Sequence, residues 1–191
     1  MLTLTLEPVV TLTDEQFFQI CQINQELQLE RTAQGEIVVM PMRGGEISHI
    51  NLILSTQLWL WNEQTQLGVG FSSTTGFQLP NRSVRSPDLS WITQTRWDAL
   101  TVEEREKFAP LCPDFAAELR SPSDRLPPLQ TKMQEYLANG CRLGWLIDRH
   151  RNQVEIYQPG QSVQTLNQPQ TLSGANVLPG FTLDLSKVWP K

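Results

Sequence analysis

Histidine is scarce in this 191-residue chain, which has only two, His49 and His150. Ser-His-Asp triads and His-rich metal centres are therefore poorly supported, because both depend on imidazole. Cysteine is also sparse. Cys21, Cys112 and Cys141 make an odd set with no C-x-x-C spacing, which argues against structural zinc and a disulfide framework and fits a reducing cytoplasm. No apolar run approaches the roughly 20 residues that span a bilayer. The apolar opening Met1–Val10 has no basic start and no small-residue cleavage site, so no signal peptide is expected. Positive charge is in deficit, with a net charge of −5 and a pI near 5.1. That argues against a non-specific nucleic-acid coat protein. It leaves a nuclease open, because a metal site needs carboxylates and the bound cation restores positive charge locally.

Hydrophobic residues make up 39% and charged residues 18%, the balance of a globular chain. The length suits one domain, residues 1–191, with a short N-terminal arm and a Gln/Pro/Gly-rich tail from about 159 to 191. Thr13-Asp14-Glu15-Gln16 is a capping box opening a first helix along Phe17, Ile20 and Cys21. Leu27–Arg31 and Glu36–Met40 read as a hairpin turned at Gly35. After Gly44-Gly45, the apolar positions Ile47, Ile50, Leu54, Leu58 and Trp61 recur at helical spacing. Strands are predicted over Gly68–Ser72, Gly76–Leu79, Ser86–Thr93 and Asp114–Arg120, with a polar helix over Thr95–Lys107 and Thr101 capping its acidic turn. Pro127-Pro128 suits the first turn of a helix that Gly140 stops. Leu143–Asp148 and Gln153–Gln158 form a last hairpin. The fold class is α+β, a central mixed sheet flanked by helices.

The chemistry concentrates in FAAELRSPSD (residues 115–124), with a second acid thirty residues earlier in SPDLSWI (118 − 88 = 30). Side chains alternate along a strand, so Glu118 and Arg120 share a face about 6–7 Å apart, while Leu119 points to the core. An acid among Ala116, Ala117 and Leu119 is costly to bury unless it is paired or metal-bound. Magnesium takes hard oxygen donors, often one or two carboxylates with waters and substrate phosphate. Asp88 and Glu118 on neighbouring strands would suffice, with the Leu119 backbone carbonyl as a third ligand. Either Arg120 or Lys132 could hold a water or a scissile phosphate. The plainer reading remains open: Glu118–Arg120 as a surface ion pair on an edge strand and Asp88 as a turn cap.

Taken together these segments resemble the Uma-two family within the PD-(D/E)XK nuclease superfamily. The matching pieces are Gly44-Gly45-Glu46 with His49, Pro87-Asp88, Glu118 in ELRSPSD, Lys132, Tyr136 and Gly140 in KMQEYLANG, and Trp145-Leu146-Ile147-Asp148, in the family's order from about residue 13 to 158. The resemblance implies a restriction-endonuclease-like fold with the site at one sheet edge. It implies Asp88 and Glu118 as ligands of magnesium, with manganese as the alternative ion. Position 120 is arginine where the superfamily places lysine, and the family's helix lysine falls on Lys132, so the catalytic cation is assigned to Lys132 first and Arg120 second. Glu46 is either a helix-start charge or an outer ligand of metal or water.

Three functions compete. The first is a magnesium-dependent DNA endonuclease acting in the cytoplasm as a homodimer, the dimer resting on analogy with enzymes that cut two strands. The second is a catalytically degenerate nuclease fold used as a binding or scaffold module. The third is a hydrolase of another phosphoester. Arginines 82, 85, 96, 120, 125, 142, 149 and 151 are candidates for a basic surface.

Overall fold

The N-terminal strand β1 (Leu2–Leu4) leads into α1 (Asp14–Ile23), which begins where the sequence supplies its cap. In the computed structural model, which describes residues 2–190, the Thr13 hydroxyl accepts from Gln16 N at 3.1 Å and the Gln16 side chain accepts from Thr13 N at 2.9 Å. The hairpin β2 (Gln28–Arg31) and β3 (Ile37–Met40) follows, turned at Gly35 with φ of +81°. The long helix α2 (Gly45–Thr65) buries Ile47, Ile50, Leu54, Leu58 and Trp61, the stripe that the spacing predicts.

Next come β4 (Gly68–Ser72), β5 (Phe77–Gln78), β6 (Val84–Arg85) and β7 (Leu89–Thr93). The strand carrying the first acid is shorter than expected. Pro87 has no amide to donate to a ladder, so pairing starts at Leu89 and Asp88 stands at the strand's open end. The helix expected over Thr95–Lys107 is two helices, α3 (Gln94–Asp98) and α4 (Val102–Glu106). Thr101 caps the second with its backbone extended at φ −66° and ψ 162°, and a capping residue cannot be helical itself.

The remaining elements are β8 (Phe115–Leu119), α5 (Leu126–Ala138), β9 (Leu143–Asp148), β10 (Gln153–Tyr157), β11 (Gln164–Asn167), β12 (Thr171–Ser173) and β13 (Thr182–Asp184). The main sheet has six strands in the order β11-β10-β9-β8-β7-β4. It is mixed: β8 and β9 run parallel, while its other neighbours are antiparallel. A parallel pair needs a crossover, and α5 supplies it. A second sheet, β1-β3-β2-β6-β5, is antiparallel throughout.

Alternation along β8 sorts the two faces. Phe115, Ala117 and Leu119 join a core with α2, whereas Ala116 faces Leu129, Met133 and Tyr136 of α5. Glu118 shares the parity of Ala116 and so points toward α5. The segment after Pro159 is not a loose appendage. Leu172, Leu178, Phe181, Leu183, Leu185, Val188 and Trp189 complete the α2-side core, and the Phe181 ring lies 5.4 Å from Trp61.

Candidate functional site

The β8–α5–β9 crossover lays one helix over one strand, and this brings Lys132 to Glu118. Helical spacing puts Leu129, Lys132, Met133 and Tyr136 on the buried side of α5. The Lys132 ammonium lies 2.9 Å from Glu118 Oε1, and the Tyr136 hydroxyl donates to the same oxygen at 2.8 Å. Asp88 arrives from the neighbouring strand. Leu89 pairs with Ala117, so one step further Asp88 stands beside Glu118. Its Oδ2 accepts from Leu119 N at 2.8 Å, and its Oδ1 faces Asn51 Nδ2 at 3.3 Å and the Arg43 guanidinium.

A third acid, Glu30 of β2, completes the cluster. Its Oε1 binds the Lys132 ammonium at 2.7 Å and accepts from Ser86 N at 2.9 Å, and its Oε2 pairs with Arg85 at 3.2 Å. Arg85 in turn reaches Glu135 of α5 at 2.5 Å. Glu30 therefore ties the second sheet, the turn before Asp88 and helix α5 together. Neither Glu30 nor Arg43 carries a local signal. Glu30 sits in QLER, which reads as an ordinary polar strand, and its ammonium partner is 102 residues away.

Glu30, Asp88, Glu118 and Lys132 are all buried, so their charges act through little solvent. Burial pushes the Glu118 carboxyl up to about 7; Lys132 opposes this, and the negative charges of Asp88 and Glu30 add to it. Asp88 is raised by burial, against the pull of Arg43 and the Leu119 amide. Burial also works against ionised Glu30, but Lys132, Arg85 and the Ser86 amide outweigh it and hold this carboxyl below its ordinary value. Lys132 is held above its ordinary value because Glu118 and Glu30 outweigh the cost of burying it. One lysine thus serves two acids with opposite shifts: Glu30 has a second cation, and Glu118 has a carboxylate neighbour.

The other candidates lie elsewhere. Arg120 leaves the cluster, pairing with Asp148 at 2.8 Å and donating to the Asp124 carbonyl at 3.1 Å. Asp148 also accepts from His150 N at 3.0 Å, so it shapes the β9–β10 turn. Glu46 has an exposed side chain paired with Arg149 at 2.7 Å. Leu119 contributes its amide to Asp88, and its side chain is core. Ser121 and Asp124 bond each other at 2.7 Å within the turn. Six of the eight candidate arginines for a basic surface have carboxylate partners, at positions 82, 85, 96, 120, 142 and 149.

A hollow of about 260 Å³ opens onto the cluster, lined by Glu30, Arg43, Arg85, Glu118 and Lys132 among others. No three acidic, His or Cys side chains among the described residues converge as a ready-made metal cage. The donors at hand are two carboxylates from adjacent strands, Glu118 lining the hollow and Asp88 buried against Arg43 and Leu119, which line it; hard oxygen is what magnesium takes and thiophilic metals do not. Asp88 and Glu118 therefore fit a hard divalent ion.

A family model described as "Uma2: Putative restriction endonuclease" matches residues 14–186. Among solved structures, one described as a putative nuclease belonging to DUF820, from Anabaena variabilis ATCC 29413, superposes with a TM-score of 0.72 at 19% identity, covering 84% of this chain and 89% of that one. At that identity the likeness speaks for the fold. A search of curated proteins finds no match. No helix among the described residues is long and apolar enough to cross a membrane.

Proposed function

The chain belongs to the Uma2 family, described as "Putative restriction endonuclease", and we propose that it is a magnesium-dependent DNA endonuclease whose site is Asp88, Glu118 and Lys132. The observation that carries this reading is the Lys132 ammonium 2.9 Å from Glu118 Oε1, delivered by the helix that follows the acid's own strand. Asp88 Oδ1 and the Glu118 carboxylate would hold the ion, with the Leu119 carbonyl as an added donor. A bound magnesium supplies charge neutralisation at the scissile phosphate and a more acidic water.

The chain's own residues do the rest. Lys132 orients the attacking water or the phosphate oxygen beside Glu118, and Glu30 and Tyr136 fix where lysine and carboxylate meet. Lys132 stays protonated, so it acts by charge and hydrogen bonding and not as a base. Arg120 pairs with Asp148, which favours the helix lysine over the strand arginine as the catalytic cation. Two copies would place one site on each DNA strand. The three unpaired thiols suit a reducing cytoplasm.

The test is nicking of supercoiled plasmid with magnesium or manganese, comparing wild type with Asp88→Ala, Glu118→Ala and Lys132→Met. Loss of cleavage in each variant supports the assignment. Cleavage surviving both acid substitutions refutes it. A wild type that binds DNA without cutting it favours the scaffold reading.

A further inference from the structure

We propose that Arg43 is the phosphate-binding residue of this site, held on Asp88 until a divalent cation takes its place. The proposal rests on the metal-site reading above and adds a residue to it.

Asp88 has one oxygen to offer a ligand. Its Oδ2 is committed to the Leu119 amide at 2.8 Å. Its Oδ1 is buried and meets Asn51 and the Arg43 guanidinium, and of these partners Arg43 lines the hollow. The Arg43 nitrogen on it is buried and pairs with this carboxylate oxygen. A divalent ion at the same oxygen would compete directly with this ion pair. The two cannot stay together, because like charges sharing one oxygen repel.

Of the three cations in the cluster, Arg43 is the one placed to move. Lys132 is held by Glu30 and Glu118, and Arg85 by Glu30 and Glu135. Arg43 lies in the short link between β3 and α2, next to Gly44 and Gly45, where an added Cβ would meet nothing within 4 Å. It also lines both the site hollow and an adjoining one of about 370 Å³ that includes Ser121, Asp124 and Arg149. A displaced guanidinium thus has open space beside the metal position. Its planar fork suits two phosphate oxygens at once, which an ammonium cannot match.

Two binding measurements on Arg43→Gln decide it, with Arg43→Lys as the charge-conserving control. In manganese titrations followed by electron paramagnetic resonance without DNA, Arg43→Gln should bind the ion about tenfold or more tightly than wild type. That is the factor expected when a charge-assisted contact no longer has to be broken first. Arg43→Lys should fall between the two. With calcium and a short labelled DNA duplex, Arg43→Gln should bind DNA more weakly, with a salt slope shallower by about 0.9, the loss of one phosphate contact. Without any ion, the slopes of wild type and variant should coincide. Opposite signs for metal and DNA are the signature, because a merely damaged fold weakens both. Manganese affinity in Arg43→Gln equal to or below wild type overturns the role of Arg43 while leaving the metal site standing. Failure of both proteins to bind manganese overturns the metal site itself and the proposal with it.

Discussion

Glu118→Gln should make the metal-free protein more stable at alkaline pH while abolishing cleavage. The Glu118 carboxyl moves from 4.5 to about 7 on folding. Across that interval the native state keeps a proton that the unfolded chain has released. Stability therefore falls as pH rises from about 4.5 to about 7 and levels off above. A displacement of this size corresponds to roughly 3 kcal/mol, or roughly 6–12 °C in Tm for a domain of this length. Glutamine keeps the shape of the protonated acid and cannot ionise. Thermal melts in EDTA at about pH 5, 6, 7 and 8 should show wild type and variant nearly equal at the acid end, then diverging with the variant the more stable. Saturating magnesium should stabilise wild type and leave the variant almost unmoved, because ligand binding to the native state alone raises stability. Parallel melting curves for the two proteins would refute this reasoning. So would a variant less stable at every pH, which would mean that pairing with Lys132 outweighs the repulsion from Asp88 and Glu30.

Other perturbations test separate parts of the account. Lys132→Met strands Glu30 and Glu118 without their shared cation and should cost about 3–5 kcal/mol in urea denaturation, besides removing cleavage. Arg120→Ala should leave cleavage within a few-fold of wild type while costing about 1–3 kcal/mol, because it deserts Asp148 and touches none of the metal-site carboxylates. Gly68→Ala should be strongly destabilising in a thermal melt, since its Cβ would lie 2.1 Å from the Ile92 carbonyl with the Trp91 ring behind it. Deleting residues 170–191 should unfold the protein, lost near-ultraviolet circular dichroism being the readout, because Phe181, Leu183 and Val188 fill the α2-side core.

Elements with strong local chemistry could be read from the sequence. The Thr13 and Thr101 caps, the α2 stripe and the β8–α5–β9 unit all follow from spacing, whereas spacing three past Leu129 and four before Tyr136 puts Lys132 only at the edge of the packed face of α5, and the structure buries it. Asp88 and Glu118 stood out as acids at the ends of apolar runs. What the sequence hid has a common cause: it depends on contacts distant along the chain. Glu30 looks like any strand charge until β2 is placed beside the turn at Ser86. Arg43 is a loop residue until Asp88 is set opposite it. Arg120 shares a face with Glu118 only while the strand lasts, and the chain turns away after Leu119 toward Asp148. In the C-terminal stretch the short strand-like pieces about Leu166, Leu172 and Phe181–Leu185 are legible and become β11, β12 and β13, but their place in the α2-side core is not, because the core residues are spread over short strands and turns with no sustained period.

Anomalous diffraction from a manganese-soaked crystal tests the central claim most directly. The account predicts one strong peak between the Asp88 and Glu118 carboxylates, with the Lys132 ammonium still against Glu118 and the Arg43 guanidinium moved off Asp88. A peak elsewhere on the molecule, or none in crystals where manganese reaches the hollow, would contradict it.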